Sequence, residues 1–143
     1  MQHPRFRILC TEDHADTCEL IRLILSYHNC DVITAETSLQ AIEFARAESF
    51  DLYLLDNWIP GMSGTDLCKG LRIIDPETPI LFYSGAAYPK DKAEAYASGA
   101  QGYLVKPADP DELISEVLRL ISENRHPSNP EVVSQLSWQQ ATA

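Results

Sequence analysis

The chain has 143 residues, the usual span of one domain, and is 45% hydrophobic and 22% charged, which is enough to bury a core. Its net charge of −10 and pI of about 4.7 argue against an electrostatic grip on nucleic acid or an anionic membrane, which needs clustered Lys and Arg. No apolar run approaches the ~20 residues of a membrane-spanning helix.

The N-terminus, MQHPRFRIL, leads into a strand pattern with no secretory leader. Cys10, Cys18, Cys30 and Cys68 have neither C-x-x-C spacing nor a zinc-type Cys/His cluster. Buried free thiols in a reducing cytoplasmic compartment are therefore expected.

Along the chain, RFRILCT (Arg5–Thr11) reads as a first strand. Ala15–His28 follows as a helix, with Cys18, Ile21, Ile24 and Leu25 at helical spacing. Asp31–Ala35 is a short β-branched strand, and Ser38–Glu48 a second helix with Leu39, Ile42 and Ala45 on one side. Leu52–Leu55 is the third strand, and Thr65–Ile74 a helix with Leu67, Leu71 and Ile74 inward. Pro79–Tyr83 is the fourth strand, Lys90–Ser98 a helix rich in Ala and charge, and Gly102–Val105 the fifth strand. A final helix has Asp109 as its cap, Pro110 in its first turn, and Leu113, Val117, Leu120 and Ile121 as its apolar face. From Asn124 two prolines and no sustained period mark a loosely ordered tail, residues 124–143, beyond a domain spanning 5–123.

Strict alternation of apolar strands with helices predicts an α/β fold with a parallel sheet covered on both faces. Five units in this length predict an open, doubly wound sheet with five helices, in which an order of 2-1-3-4-5 would be the flavodoxin-like arrangement and would set the second strand at the edge. Ligands of such sheets bind outside the carboxyl ends of the strands, so the residues just past each strand carry the functional reading. Glu12 and Asp13 follow the first strand, Glu36 the second, Asp56 the third, Ser84 and Gly85 the fourth, and Lys106 and Pro107 the fifth. Each alone is an ordinary cap or turn residue. Together they place acids, a hydroxyl and a lysine on one rim.

Carboxylates gathered closely repel one another unless a cation intervenes. A hard divalent ion such as Mg2+ suits a site with few carboxylates that a phosphate completes. Lys106 supplies a point charge for Asp56 or a phosphoryl oxygen, Ser84 supplies a hydroxyl donor, and a carboxylate can accept a phosphoryl group. Phosphoryl transfer is the reaction such a set serves, and Asp56, on the central strand, is its central residue.

Other phosphate chemistries lack their residues. The chain has no G-x-x-x-x-G-K-[ST] loop, and no G-x-G-x-x-G after the first strand, where TEDHAD stands. Trp58 occupies the place of the second Asp of a haloacid-dehalogenase-type phosphatase. The four histidines fall outside the strand-end set, and His14 reads as a solvated first-turn residue.

ILCTED, LLDNWIPGMSG, YSG and YLVKP together resemble the receiver domains of two-component response regulators, the CheY-like family. The resemblance implies that Asp56 accepts a phosphoryl group from a histidine kinase or histidine phosphotransfer protein. It implies Mg2+ held by Glu12, Asp13, Asp56 and the backbone carbonyl of Trp58, and a phosphoryl group bound by Lys106. Ser84 and Tyr103 would form the switch, and the Lys106–Pro107 bond would be cis. The signal would pass through the face of the fourth helix, fifth strand and fifth helix, including Tyr88 and Lys92, to an effector or a second copy. Ile59 stands where Met is usual, Ala108 where a large apolar residue is common, and Glu12 where Asp is more frequent. Trp58 and Ala86 take positions that tune dephosphorylation in the family. The alternatives are a fold-only interaction module, against which the complete acidic set, Ser84 and Lys106 argue, and a metal-dependent hydrolase of small phosphates.

Overall fold

The computed structural model describes residues 5–125. Its elements alternate as the apolar pattern predicts: β1 (Phe6–Thr11), α1 (Ala15–Ser26), β2 (Cys30–Ala35), α2 (Ser38–Ala47), β3 (Leu52–Leu55), α3 (Gly64–Ile74), β4 (Ile80–Ser84), α4 (Pro89–Ser98), β5 (Gly102–Val105) and α5 (Pro110–Arg125). All strand pairs are parallel, and the order is β2-β1-β3-β4-β5. The expected boundaries shift by a residue or two. α1 ends at Ser26 with Tyr27 as its C-cap, and the chain then turns through Asn29, which takes a left-handed φ of 63°. α5 runs on through Asn124 and Arg125. The rest of the expected tail, 126–143, lies outside the described residues.

Two apolar layers sandwich the sheet. Leu9, Tyr53, Leu55 and Phe82 face α2, α3 and α4 through Ala41, Leu67, Leu71 and Ala95. Ile8, Cys10, Leu54 and Leu81 face α1 and α5 through Ile21, Leu25, Val117 and Ile121. Alternate residues of one strand go to opposite layers, which is why β3 is apolar at every position and buried at all four. The four cysteines are free and buried, and burial pushes the Cys10 and Cys30 thiols up.

Leu39 departs from expectation: it is 64% exposed. The buried face of α2 is Ser38, Ala41 and Ala45. The Ser38 amide and hydroxyl both donate to the Pro60 carbonyl, at 3.1 and 3.2 Å. That tie turns Ser38 inward, and its neighbour, one helical step around, turns outward.

Local capping sets where the helices begin. Thr37 accepts the Gln40 amide, Ser63 the Asp66 amide, and Asp109 the Asp111 amide, with Glu112 reaching back to the Asp109 amide. At the opposite end of the sheet, Arg72 donates to the carbonyls of Asp75, Thr78 and Gly99 and to Gln101. Asp75 there accepts from the Tyr53 hydroxyl at 2.9 Å and from the Thr78 hydroxyl and amide. At the β2 edge, the Arg22 guanidinium spans the Val32 carbonyl and the Thr34 hydroxyl, both at 3.3 Å. No helix of the described residues is long and apolar enough to cross a membrane.

Candidate functional site

β1 and β3 are adjacent, and their register pairs Thr11 with Leu55. The residues that follow, Glu12 and Asp56, therefore leave the sheet side by side. Both are buried, at 2% and 6% exposure, which for two carboxylates demands compensation. β5 lies two strands away and ends at Val105, so Lys106 extends from the same rim. Its Nζ lies 2.5 Å from Glu12 Oε1 and 3.0 Å from Asp56 Oδ2. Burial pulls the Lys106 ammonium down. Its hydrogen bonds to Glu12 and Asp56, with their charges, outweigh this and hold it above its ordinary value. The Lys106–Pro107 peptide is cis, as the family resemblance implies.

The loop after Asp56 is shaped by two glycines. Gly61 has φ of 106°, the left-handed region that favours glycine. Gly64 opens α3 against the Asp56 carbonyl and Asn57 Cα, with no room for a Cβ, and its amide donates to the Asn57 carbonyl at 3.0 Å. The Trp58 side chain is thereby left 72% exposed, while its amide donates to Asp56 Oδ1 at 3.4 Å.

Asp13 is exposed and shares a cluster with Glu12 and His14, whose ligand atoms lie within 4.8 Å of one another. Asp56 is not a member of that cluster. The expectation for His14 needs correcting. It is solvated, but it stands at the α1 N-cap rather than within the first turn, and Nδ1 lies 3.1 Å from both Glu12 Oε2 and Asp13 Oδ1. The hydrogen bond to Glu12 and the charges of Asp13 and Glu12 raise its pKa above 6.5. Its position two residues after Glu12 was the available signal. The donor chemistry suits a hard cation: the carboxylates outnumber the one ammonium that faces them, and oxygen donors match Mg2+.

Ser84 is fully buried, and its oxygen accepts the Ala86 amide at 3.2 Å rather than reaching Asp56. Tyr103 is half-buried. Its hydroxyl donates to the Ala86 carbonyl at 2.6 Å and accepts from Asn57 Nδ2 at 2.9 Å, and its ring stacks on Phe82 at 5.7 Å and 5°. Burial pushes its phenol up, so it remains a donor at neutral pH. Asn57 has no periodic or motif signal of its own and was not anticipated. Glu36 is exposed beyond edge strand β2, with its amide bonded to Gln40. The structure thus brings Glu12, Asp56 and Lys106 into direct contact, joins Asp13 and His14 to Glu12, and holds Ser84 and Tyr103 on a common neighbour, Ala86.

Comparison with known proteins adds the family. The family model for the response regulator receiver domain matches residues 8–118. The cell cycle transcriptional regulator CtrA of Caulobacter vibrioides is 31% identical over 119 residues, 83% of this chain and 52% of CtrA. The chain thus spans about half the length of the curated relatives it matches. A CheY-like receiver domain protein from Methanospirillum hungatei has 25% identity and a TM-score of 0.80, covering 84% of this chain and 96% of that one. The receiver domain of the sensor histidine kinase PA1611 from Pseudomonas aeruginosa has 24% identity and a TM-score of 0.77, covering 82% and 98%, and carries a magnesium ion in its active-site cleft. With the family match running from β1 into α5, this chain belongs to the receiver domains of response regulators, the family whose role is to accept a phosphoryl group.

Proposed function

We propose that Asp56 is the residue phosphorylated in this chain. The observation that carries the reading is the Lys106 ammonium standing between Glu12 and Asp56 at the carboxyl end of the central strand. An Asp56 oxygen attacks phosphorus, the P–N bond of a donor phosphohistidine breaks, and its electron pair returns to the imidazole, which takes up a proton. The donor is a histidine kinase or histidine phosphotransfer protein, and the cytoplasm is the compartment where the two meet. Lys106 offsets charge on the transferred group. Glu12, Asp13, Asp56 and the Trp58 carbonyl would hold Mg2+, which when bound would neutralise charge on the phosphoryl oxygens. The chain promotes only its own phosphorylation and dephosphorylation. After transfer, Ser84 turns toward the phosphoryl group, and with Tyr103 alters the face of α4, β5 and α5 that an effector or a second copy reads. Tyr88 and Lys92 belong to that face.

Acetyl phosphate with Mg2+, followed by intact-mass measurement, tests this. One phosphoryl adduct, lost in Asp56→Asn, is expected. No adduct from any small donor and no response to beryllofluoride would reduce the chain to a fold-only module. Rapid multiple turnover of small phosphate esters would make it a hydrolase instead.

A further inference from the structure

Tyr103 is held at three points in the resting protein, and two of them lie on different loops. A phenol has one proton and a carbonyl can only accept. The proton therefore goes to the Ala86 carbonyl, 2.6 Å away. The phenol oxygen is left to accept, so the group that Asn57 presents at 2.9 Å is its NH2. The third point is the ring itself, stacked on the wholly buried Phe82.

These partners sit at different places in the signalling path. Asn57 follows Asp56 directly, and its carbonyl is fixed to α3 by the Gly64 amide. Ala86 lies in the β4–α4 loop, and its amide is engaged by Ser84. Tyr103 therefore touches the path from Asp56 twice: through Ser84 and Ala86, and through the side chain of the residue that follows Asp56.

We propose that Asn57 is a positioning residue that tethers Tyr103 inward before any phosphoryl group is present. The inward ring is then held by Asn57 in addition to the Ser84 hydroxyl, which also stands beside the phenol. The α4–β5 surface is offered in one arrangement in the resting state, and phosphorylation adjusts the β4–α4 loop around a tyrosine already in place. The output is graded from a raised baseline rather than switched from zero. This consequence rests on the reading of Asp56 as the acceptor; the tether itself does not.

The test uses full-length protein in buffer free of metal and phosphoryl donor. Tyrosine ring carbons are labelled for NMR, and the Tyr103 signals are identified by their loss in Tyr103→Phe. In wild type they should report a buried, ordered ring. In Asn57→Ala the ratio of inward to outward ring should fall about two- to ten-fold, the factor one hydrogen bond of ordinary net strength carries. The amide resonances of residues 86–88 should move with it, and the double variant should superpose on Tyr103→Phe, because the tether acts only through the phenol. Should Asn57→Ala not fold, Asn57→Ser, too short to reach the phenol, replaces it. Unmoved Tyr103 signals on removal of the amide, or loop shifts that simply add in the double variant, would overturn the proposal. Absence of phosphorylation at Asp56 would leave these spectra as they are, so the two readings fail separately.

Discussion

Lys106 and Asp56 face each other at 3.0 Å across the carboxyl rim, although 50 residues separate them in the chain. The same ammonium serves Glu12, so one cation offsets two buried anions. Lys106→Met leaves both carboxylates without it. Removing one partner of a fully buried pair costs about 3–5 kcal/mol; about 2 kcal/mol is expected here because the lysine keeps some solvent contact. Thermal unfolding in chelator should show the loss, and Mg2+ should restore part of it. A variant as stable as wild type in chelator would contradict the pairing.

Gly64 supports the loop from below. Its missing Cβ is what lets α3 begin against the Asp56 carbonyl and Asn57 Cα. Those are backbone atoms, which cannot swing aside as a side chain would. Gly64→Ala should therefore cost about 1–3 kcal/mol, the range for overpacking a tight site, despite the better helix propensity of alanine. Urea denaturation measures this, and an increase in stability would show that the helix start is adjustable.

Asp75 should contribute to the acid sensitivity of the fold. Burial pushes its carboxyl up, but hydrogen bonds from the Thr78 hydroxyl and amide, the Tyr53 hydroxyl and the Glu77 amide outweigh this and hold it below the ordinary 3.8. A carboxyl that ionises more readily when folded stabilises fully above its unfolded value, and that contribution disappears as pH falls through the lower folded value. In Asp75→Asn the acid limb of a stability–pH curve should flatten below about pH 4, with lower stability at neutral pH. In Tyr53→Phe the loss should be partial, about 1.5–3 kcal/mol for a hydrogen bond to a charged group. Parallel acid limbs in wild type and Asp75→Asn would assign the acid sensitivity to other carboxyls.

His14 should titrate above 6.5. Its partners are the cause, so Glu12→Gln should bring the midpoint down toward the ordinary value while Asp13 retains part of the elevation. NMR titration of the His14 ring protons measures both. Being exposed, the ring reports the charge of the acidic pair without weighing on stability.

The fold was legible because each apolar run is short, bounded by Pro, Gly or acidic residues, and followed by a helical period. Asp56 and Lys106 were legible for the same reason: each stands directly past its strand, where a parallel sheet gathers ligands. Leu39 was misplaced because two apolar stripes fit the sequence of α2 equally well. The choice between them is made by the Ser38–Pro60 tie, 22 residues apart in the chain, which periodicity does not register. His14 is solvent-facing as its sequence position suggests, but nothing in helical spacing shows that a cap residue folds back on the acids before it. Asn57 was invisible because its partner, Tyr103, lies 46 residues away and no pattern links an amide to a phenol across three strands.

The Arg22 fork across the Val32 carbonyl and the Thr34 hydroxyl has a consequence for how this molecule can be approached. β2 is one open border of the sheet, and an open border ordinarily invites another strand to add itself through the backbone alone, with little regard for sequence. Here a visiting strand must first displace a guanidinium from its acceptors. At this border, backbone pairing therefore competes with a side chain already seated on it. The opposite border, β5, carries no such fork among the described residues, so the two open edges of the sheet differ in how readily they could accept a strand.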